Sequence, residues 1–380
     1  MNPFSPKLSI DELVGVGRVE LELDADRRAC VFLGGNGIGK TKLLEALHLV
    51  TFLSSKTVVE VLQSLTPGST IANDALVFSR ACVNVDCLEI KPSARNSQPV
   101  GELRRDSKLE AHDLAWAYVG ARRRGPVQHM GTRLRSPLGS FAERRVEHVK
   151  RLVKSMADGS PGLDPQGDID TWFVQRAQSS NRFQADVDKR ESEILSVLRL
   201  LNAVDERIDP AFLSVDGSEH VRIRIEGAER RLAELSSGFA SLLQLMQAIV
   251  SSYANFTQES SIELVRGIVF IDEIESHLHA RWQSRILPTL KKALPNTFFG
   301  VATHSPLVIA PCEEGEVYRL ARDDDGVVRS RRLDAPRRDA LVDVLQDAFD
   351  VDVNALKRDG MSSEAQRDAK AGLLGLISKR

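Results

Sequence analysis

The sequence predicts an α/β fold on a mixed β-sheet, and three observations carry that expectation. An apolar strand, Ala29–Leu33, runs into Gly34-Gly35-Asn36-Gly37-Ile38-Gly39-Lys40-Thr41 and then a helix. Two more compact apolar strands, Gly267–Ile271 and Thr297–Ala302, end in the polar pairs Asp272-Glu273 and Thr303-His304. Ahead of them the chain opens with short segments, the last of which alternates apolar and polar residues with period two.

In chain order, residues 8–10, 14–16 and 19–23 read as strands of a meander leading to the buried strand Ala29–Leu33. A helix follows over about 40–50, and a second over 58–65 stops at Thr66-Pro67-Gly68. Residues 83–90 and Ala115–Val119 read as strands. From Gly120 to about Pro210 the pattern turns helical: 141–156 is strongly basic, 157–170 is a Gly/Pro/Asp loop, and 183–204 has a long helical periodicity. Val221–Ile225 is a strand, 242–251 a buried helix, Ala280–Ala293 another helix, and 316–320 with 327–333 a strand pair. The expected organisation is an N-terminal part of a head over 1–120, an inserted helical lobe over 121–215, the C-terminal part of the head over 216–335, and a helical tail over 336–380.

A chain of 380 residues with a formal charge of −2 is long enough for two or three packed units and has no global attraction to nucleic acid or anionic lipid. No run approaches the ~18 apolar residues of a membrane span, and residues 1–17 hold no apolar core of signal-peptide length. Four cysteines, Cys30, Cys82, Cys87 and Cys312, are too few for a disulfide framework and fit a reducing compartment. The expectation is a cytoplasmic protein with no membrane partner.

The segment Gly34 to Thr41 has the spacing of a phosphate-binding loop. A polyphosphate needs several backbone N–H groups aimed at it, and Gly34, Gly35, Gly37 and Gly39 let the chain wrap closely, with the next helix adding its positive end. Lys40 would reach the β- and γ-phosphates, and the Thr41 hydroxyl would hold Mg²⁺ with an acid from elsewhere. Asp272 at a strand tip suits that second ligand, and Glu273 beside it suits a general base for the attacking water, although an apolar strand ending in Asp-Glu also arises by chance. His304 is placed to contact the γ-phosphate or to be structural.

Glu234-Leu235-Ser236-Ser237-Gly238-Phe239 before a helix resembles the Leu-Ser-x-Gly signature of ABC-type ATPases, although a plain helix N-cap on Ser236 or Ser237 accounts for it equally well. The order of loop, insertion, signature, Asp-Glu strand and His-ended strand is also the ABC order, so the resemblance implies a P-loop NTPase with an ABC-ATPase-like head. The wording from Gly34 to Leu47, Ile271-Asp272-Glu273-Ile274-Glu275-Ser276-His277-Leu278-His279 and Ala302-Thr303-His304-Ser305-Pro306 resembles the SMC/RecF/OLD-like branch. The resemblance implies ATP and Mg²⁺ as cofactors and an ATP-dependent homodimer of heads, with Ser236, Ser237 and Gly238 acting on the nucleotide of the other protomer. Two departures stand out: Gly35 occupies a position where Pro is common, and no Gln ends the strand Ala115–Val119, leaving Arg122 or Gln128 to serve. The chain lacks the very long coiled coil of repair members and the C-terminal TOPRIM domain of OLD nucleases. Its ending resembles compact defence-associated ATPases such as those of Septu, retron and PARIS systems, which implies a separately encoded effector, a nuclease or toxin. A repair or chromosome-maintenance ATPase binding DNA directly is the alternative, and the wording and the large insertion disfavour a transporter ATPase.

Among the remaining residues, Arg144, Arg145, Lys150 and Arg151 lie in the one clearly basic segment, 121–154, which suits DNA phosphates or a solvated, partner-facing helix. His277 and His279 suit a dimer contact better than a metal, because a third ligand is missing. Cys82 and Cys87 have loose metal-like spacing, with core or chance placement the simpler reading. Glu275 stands open between structural hydrogen bonding and a supporting catalytic part.

Overall fold

The opening meander is the antiparallel flank of a ten-stranded mixed sheet. The protein is described here as a computed structural model, covering residues 2–64, 70–73, 76–91, 97–99, 102–103, 107–120, 139–157, 169–180, 185 and 189–333. In chain order the strands are β1 (Lys7–Leu13), β2 (Gly17–Glu22), β3 (Ala29–Leu33), β4 (Thr70–Ala72), β5 (Arg80–Val83), β6 (Asp86–Glu89), β7 (Ser97–Pro99), β8 (Ala115–Val119), β9 (Ile208–Val215), β10 (Val221–Ile225), β11 (Ala228–Arg231), β12 (Gly267–Ile271), β13 (Thr297–Ala302), β14 (Val317–Arg322) and β15 (Val328–Arg332). The helices are α1 (Lys40–Ser54), α2 (Lys56–Ser64), α3 (Phe141–Ala157), α4 (Ile169–Gln178), α5 (Glu191–Val204), α6 (Ser237–Tyr253), α7 (Ala280–Ala293) and α8 (Pro306–Ile309).

Strand order in the main sheet is β6-β5-β1-β2-β15-β14-β3-β13-β12-β8. From β14 to β8 all neighbours are parallel, whereas β6, β5, β1 and β2 pair antiparallel. The strands β3, β8, β12 and β13 are wholly buried because both sheet faces are covered. In β12, Ile268 and Phe270 join the cluster containing Leu43, Leu44 and Leu47 of α1, while Val269 and Ile271 join the cluster containing α5, α6 and α7. Helices between β8 and β9 divide between the faces: α3 gives Val149 and Leu152 to the α1 side, and α4 gives Trp172 and Phe173 to the other.

Several expectations require correction. Residues 14–16 form the turn between β1 and β2 rather than a strand. Residues 83–90 are not one strand, because Asn84 takes a positive φ of 57° and folds β5 back on β6. That hairpin sets Cys82 opposite Cys87, with Cα atoms 4.1 Å apart and a disulfide between them, so the two are neither chance placement nor metal ligands. Helix does not persist to Pro210: Asp205 ends α5, and β9 joins β10 and β11 in a separate three-stranded sheet. The helix expected from residue 183 is described only from Glu191. The expected tail over 336–380, with Arg122 and Gln128, lies outside the described residues. No helix among the described residues is long and apolar enough to cross a membrane.

Candidate functional site

Three neighbouring parallel strands, β3, β13 and β12, deliver the expected residues to one edge of the sheet, where strand C-termini of α/β folds gather ligands. Beyond β3 the loop turns into α1. Gly34 has φ 149°, and a Cβ there would lie 2.7 Å from the Leu320 carbonyl oxygen; Gly39 has φ 104°, and its Cβ would meet Val16 at 2.4 Å. Both positions therefore need glycine. Gly35, Asn36 and Gly37 form the exposed crest, followed by half-buried Ile38.

Lys40 is buried and folds back over the loop, its Nζ donating to the Gly34 carbonyl at 2.8 Å and the Gly35 carbonyl at 3.1 Å. Burial lowers its pKa, against the pull of Asp272, Glu275 and Glu273 in the other direction. Thr41 Oγ1 donates to Asp272 Oδ2 at 2.9 Å, so the hydroxyl and carboxylate meet across 231 positions of sequence. Both are hard oxygen donors of the kind Mg²⁺ prefers, and the close-wrapped loop beside them suits a phosphate chain. Glu273 is exposed, takes a positive φ of 46°, and accepts the Ser276 hydroxyl on Oε2 at 2.9 Å. Left-handed backbone at a non-glycine residue costs of order 1–3 kcal/mol and recurs at functional sites.

Glu275, whose role the sequence leaves open, makes hydrogen bonds to the end of the neighbouring strand. Its Oε2 accepts the Thr303 hydroxyl at 2.6 Å, tying the segment after β12 to the end of β13, with His304 exposed just beyond. The signature lies elsewhere. Ser236 caps α6, its Oγ accepting the Phe239 N–H at 3.5 Å, while Ser237 is exposed. A Cβ on Gly238 would sit 3.1 Å from the His277 carbonyl and 3.2 Å from the Trp282 ring, and Ser241 donates to the Ser276 carbonyl at 3.0 Å. The start of α6 is thereby held against the segment from Ser276 to Trp282. Around it opens a cleft of about 870 Å³ whose lining includes Ser236, Ser237, Gly238, Arg207, Arg281 and Arg285, and none of the residues from Gly34 to Thr41. His277 and His279 line it too, and His279 caps α7 through Nδ1.

Sequence reasoning missed Arg207, which is gripped by Asp205 at 2.7 Å and lies 5.5 Å over Phe239. It lies where helix was expected, and nothing local marks it. Most of the basic residues of α3 singled out by the sequence engage groups of the protein itself. Arg144 donates to the Gly139 carbonyl, Arg145 lies 5.3 Å over Phe141, Arg151 donates to the Glu147 carbonyl, and Lys150 is exposed.

This arrangement of glycine-rich loop, paired Thr and Asp, and separate cleft around Ser236 to Gly238 is that of a P-loop NTPase fold. A family model described as "AAA domain, putative AbiEii toxin, Type IV TA system" matches residues 150–310, from α3 past α8. The "Septu protein PtuA" of Bacillus mycoides (strain KBAB4) is 33% identical over 200 residues, 49% of this chain and 27% of that protein. The "Retron Vc95 probable ATPase" of Vibrio cholerae serotype O1 biovar El Tor is 24% identical over 355 residues, 75% of this chain and 67% of that protein. The chain is thus similar to these two proteins and spans about a quarter of the first and two thirds of the second. Among solved structures, the SMC head domain from Thermotoga maritima aligns over 87% of this chain and 98% of its own at 12% identity, with a TM-score of 0.42.

Proposed function

We infer that this chain binds ATP with Mg²⁺ at the loop from Gly34 to Thr41 and hydrolyses it between two heads. The contact of Thr41 with Asp272 carries the reading, since it joins the two oxygen donors such a site needs, with Glu273 next in sequence. Mg²⁺ bound there by Thr41 and Asp272 would neutralise charge on the phosphate oxygens. Lys40 would swing from the loop carbonyls to the phosphates, Glu273 would take the proton of the attacking water, and His304 would lie near the γ-phosphate. The Ser236 to Gly238 cleft is distinct from the loop, which supports a trans arrangement: a second copy brings its signature to this nucleotide.

The kinship with Septu and retron ATPases supports a role in bacterial defence against phage, with ATP-driven association of heads controlling a separate effector, a nuclease or toxin. Two substitutions test the chemistry. Glu273→Gln should retain ATP binding and slow turnover on the order of a hundredfold or more, whereas Lys40→Ala should lose binding. Full-rate hydrolysis by Glu273→Gln removes Glu273 from its role. Copurification with the product of a neighbouring gene tests the effector.

A further inference from the structure

Three arginines line the cleft around Ser236 to Gly238, and they differ in what they hold. Arg207 is engaged: Asp205 Oδ2 accepts its Nη2 at 2.7 Å, Oδ1 accepts its Nε at 2.9 Å, and its guanidinium lies 5.5 Å over the Phe239 ring. Arg281 and Arg285 of α7 are exposed and make no side-chain hydrogen bond or ion pair among the described residues. Four residues apart, they stand one turn from each other on the same helix face. Of the two acids in the lining, Asp205 is committed to Arg207, which leaves Glu206 against two guanidiniums.

The elements carrying these groups are held in place. His279 Nδ1 accepts the Arg281 N–H at 3.4 Å and fixes the start of α7, and buried Trp282 meets Phe239 edge to face with ring centroids 4.7 Å apart, joining α7 to the start of α6. The first N–H groups of α6 have no acceptor within the helix and carry the positive end of its dipole. Two unpaired guanidinium forks therefore share a cleft with a helix N-terminus, and the volume of about 870 Å³ is that of a small-molecule site. Forked N–H donors match the oxygens of a phosphate.

None of the residues from Gly34 to Thr41 lines this cleft, so a nucleotide met here is one held by another copy. We propose that Arg281 and Arg285 bind the phosphates of the nucleotide seated on the loop of a second head, adding two positive charges to the contact made by Ser236 to Gly238. The inference rests on the two-head reading above and names the side chains that give the contact its charge. Arg207 stays with Asp205 and takes no part in it.

The test is the full chain carrying Arg281→Gln with Arg285→Gln. Both positions are exposed, so the melting temperature without nucleotide should hold. In the Glu273→Gln background, light scattering should show ATP-driven association weakened by at least about tenfold, because hydrogen bonds to charged groups are the strong ones. Added salt should narrow the gap to the parent, and Arg281→Lys with Arg285→Lys should recover part of the loss. Mixing places the contact between copies. The double Gln variant keeps its loop and Lys40→Ala keeps its arginines, so a mixed pair holds one complete site and should hydrolyse ATP faster than the two variants summed. Association equal to the parent's, or a mixture no faster than that sum, overturns the assignment. Either result leaves the two-head reading standing where Lys40→Ala loses ATP binding and Ser237→Arg blocks association; if both of those variants behave as the parent, that reading falls and the inference falls with it.

Discussion

Glu275 Oε1 accepts the backbone N–H of His304 at 2.6 Å, so a carboxylate two residues past Glu273 holds the histidine at the end of the neighbouring strand. The same carboxyl group binds the Thr303 hydroxyl, which makes its hold two-pronged. Glu275→Ala frees both groups. Small misplacements at a reacting centre cost up to about 10²-fold, so turnover should fall roughly tenfold to a hundredfold while nucleotide affinity changes little. Steady-state turnover beside fluorescent-nucleotide binding separates the two effects, and unchanged turnover would show that His304 needs no such support.

Ser236 and Ser237 offer different probes of head association. Ser236 caps α6, so replacing it costs about 1 kcal/mol of helix stability and confounds the result, and a side chain on Gly238 would press on His277 and Trp282 within the same head. Ser237 is exposed and carries no cap. In the Glu273→Gln background, ATP should drive association that Ser237→Arg abolishes with little change in melting temperature. Light scattering reads both states, and a mass indifferent to ATP and to Ser237→Arg would argue against the trans site.

Two buried histidines should make the protein acid-sensitive. His48 packs near Tyr118 and Phe270 and accepts the Trp116 N–H, and His148 lies on Phe256 with Asn255 bonded to its Nδ1. Burial pushes both pKa values down to about 3, with Arg151 and His48 adding to the shift of His148. Unfolded, each imidazole takes a proton near pH 6.5, so between these values the unfolded chain binds more protons and stability falls as pH drops. Well below pH 6.5 the slope is about 1.4 kcal/mol per pH unit for each histidine. Urea unfolding at pH 7, 6 and 5 measures it, and His148→Gln should roughly halve the loss. A flat profile would mean the two rings are accessible to protons in the folded state.

What the sequence by itself determined is local. The strands Ala115–Val119, Gly267–Ile271 and Thr297–Ala302 and the helix near Ala280–Ala293 were legible, because an unbroken apolar run or an amphipathic period is written in consecutive side chains. The glycine spacing from Gly34 to Gly39 was legible for the same reason, since it answers a local backbone requirement at Gly34 and Gly39. Tertiary structure alone decided the rest. Thr41 meets Asp272 only because β13 inserts between β3 and β12, and strand order leaves no trace in local pattern. The partners of Glu275, the pairing of Cys82 with Cys87, and the meeting of Arg281 with Ser236 in one cleft likewise follow from register and from which helix covers which face. Hydrophobic periodicity says that a residue is buried, but its neighbours are chosen by the packing of elements distant in sequence.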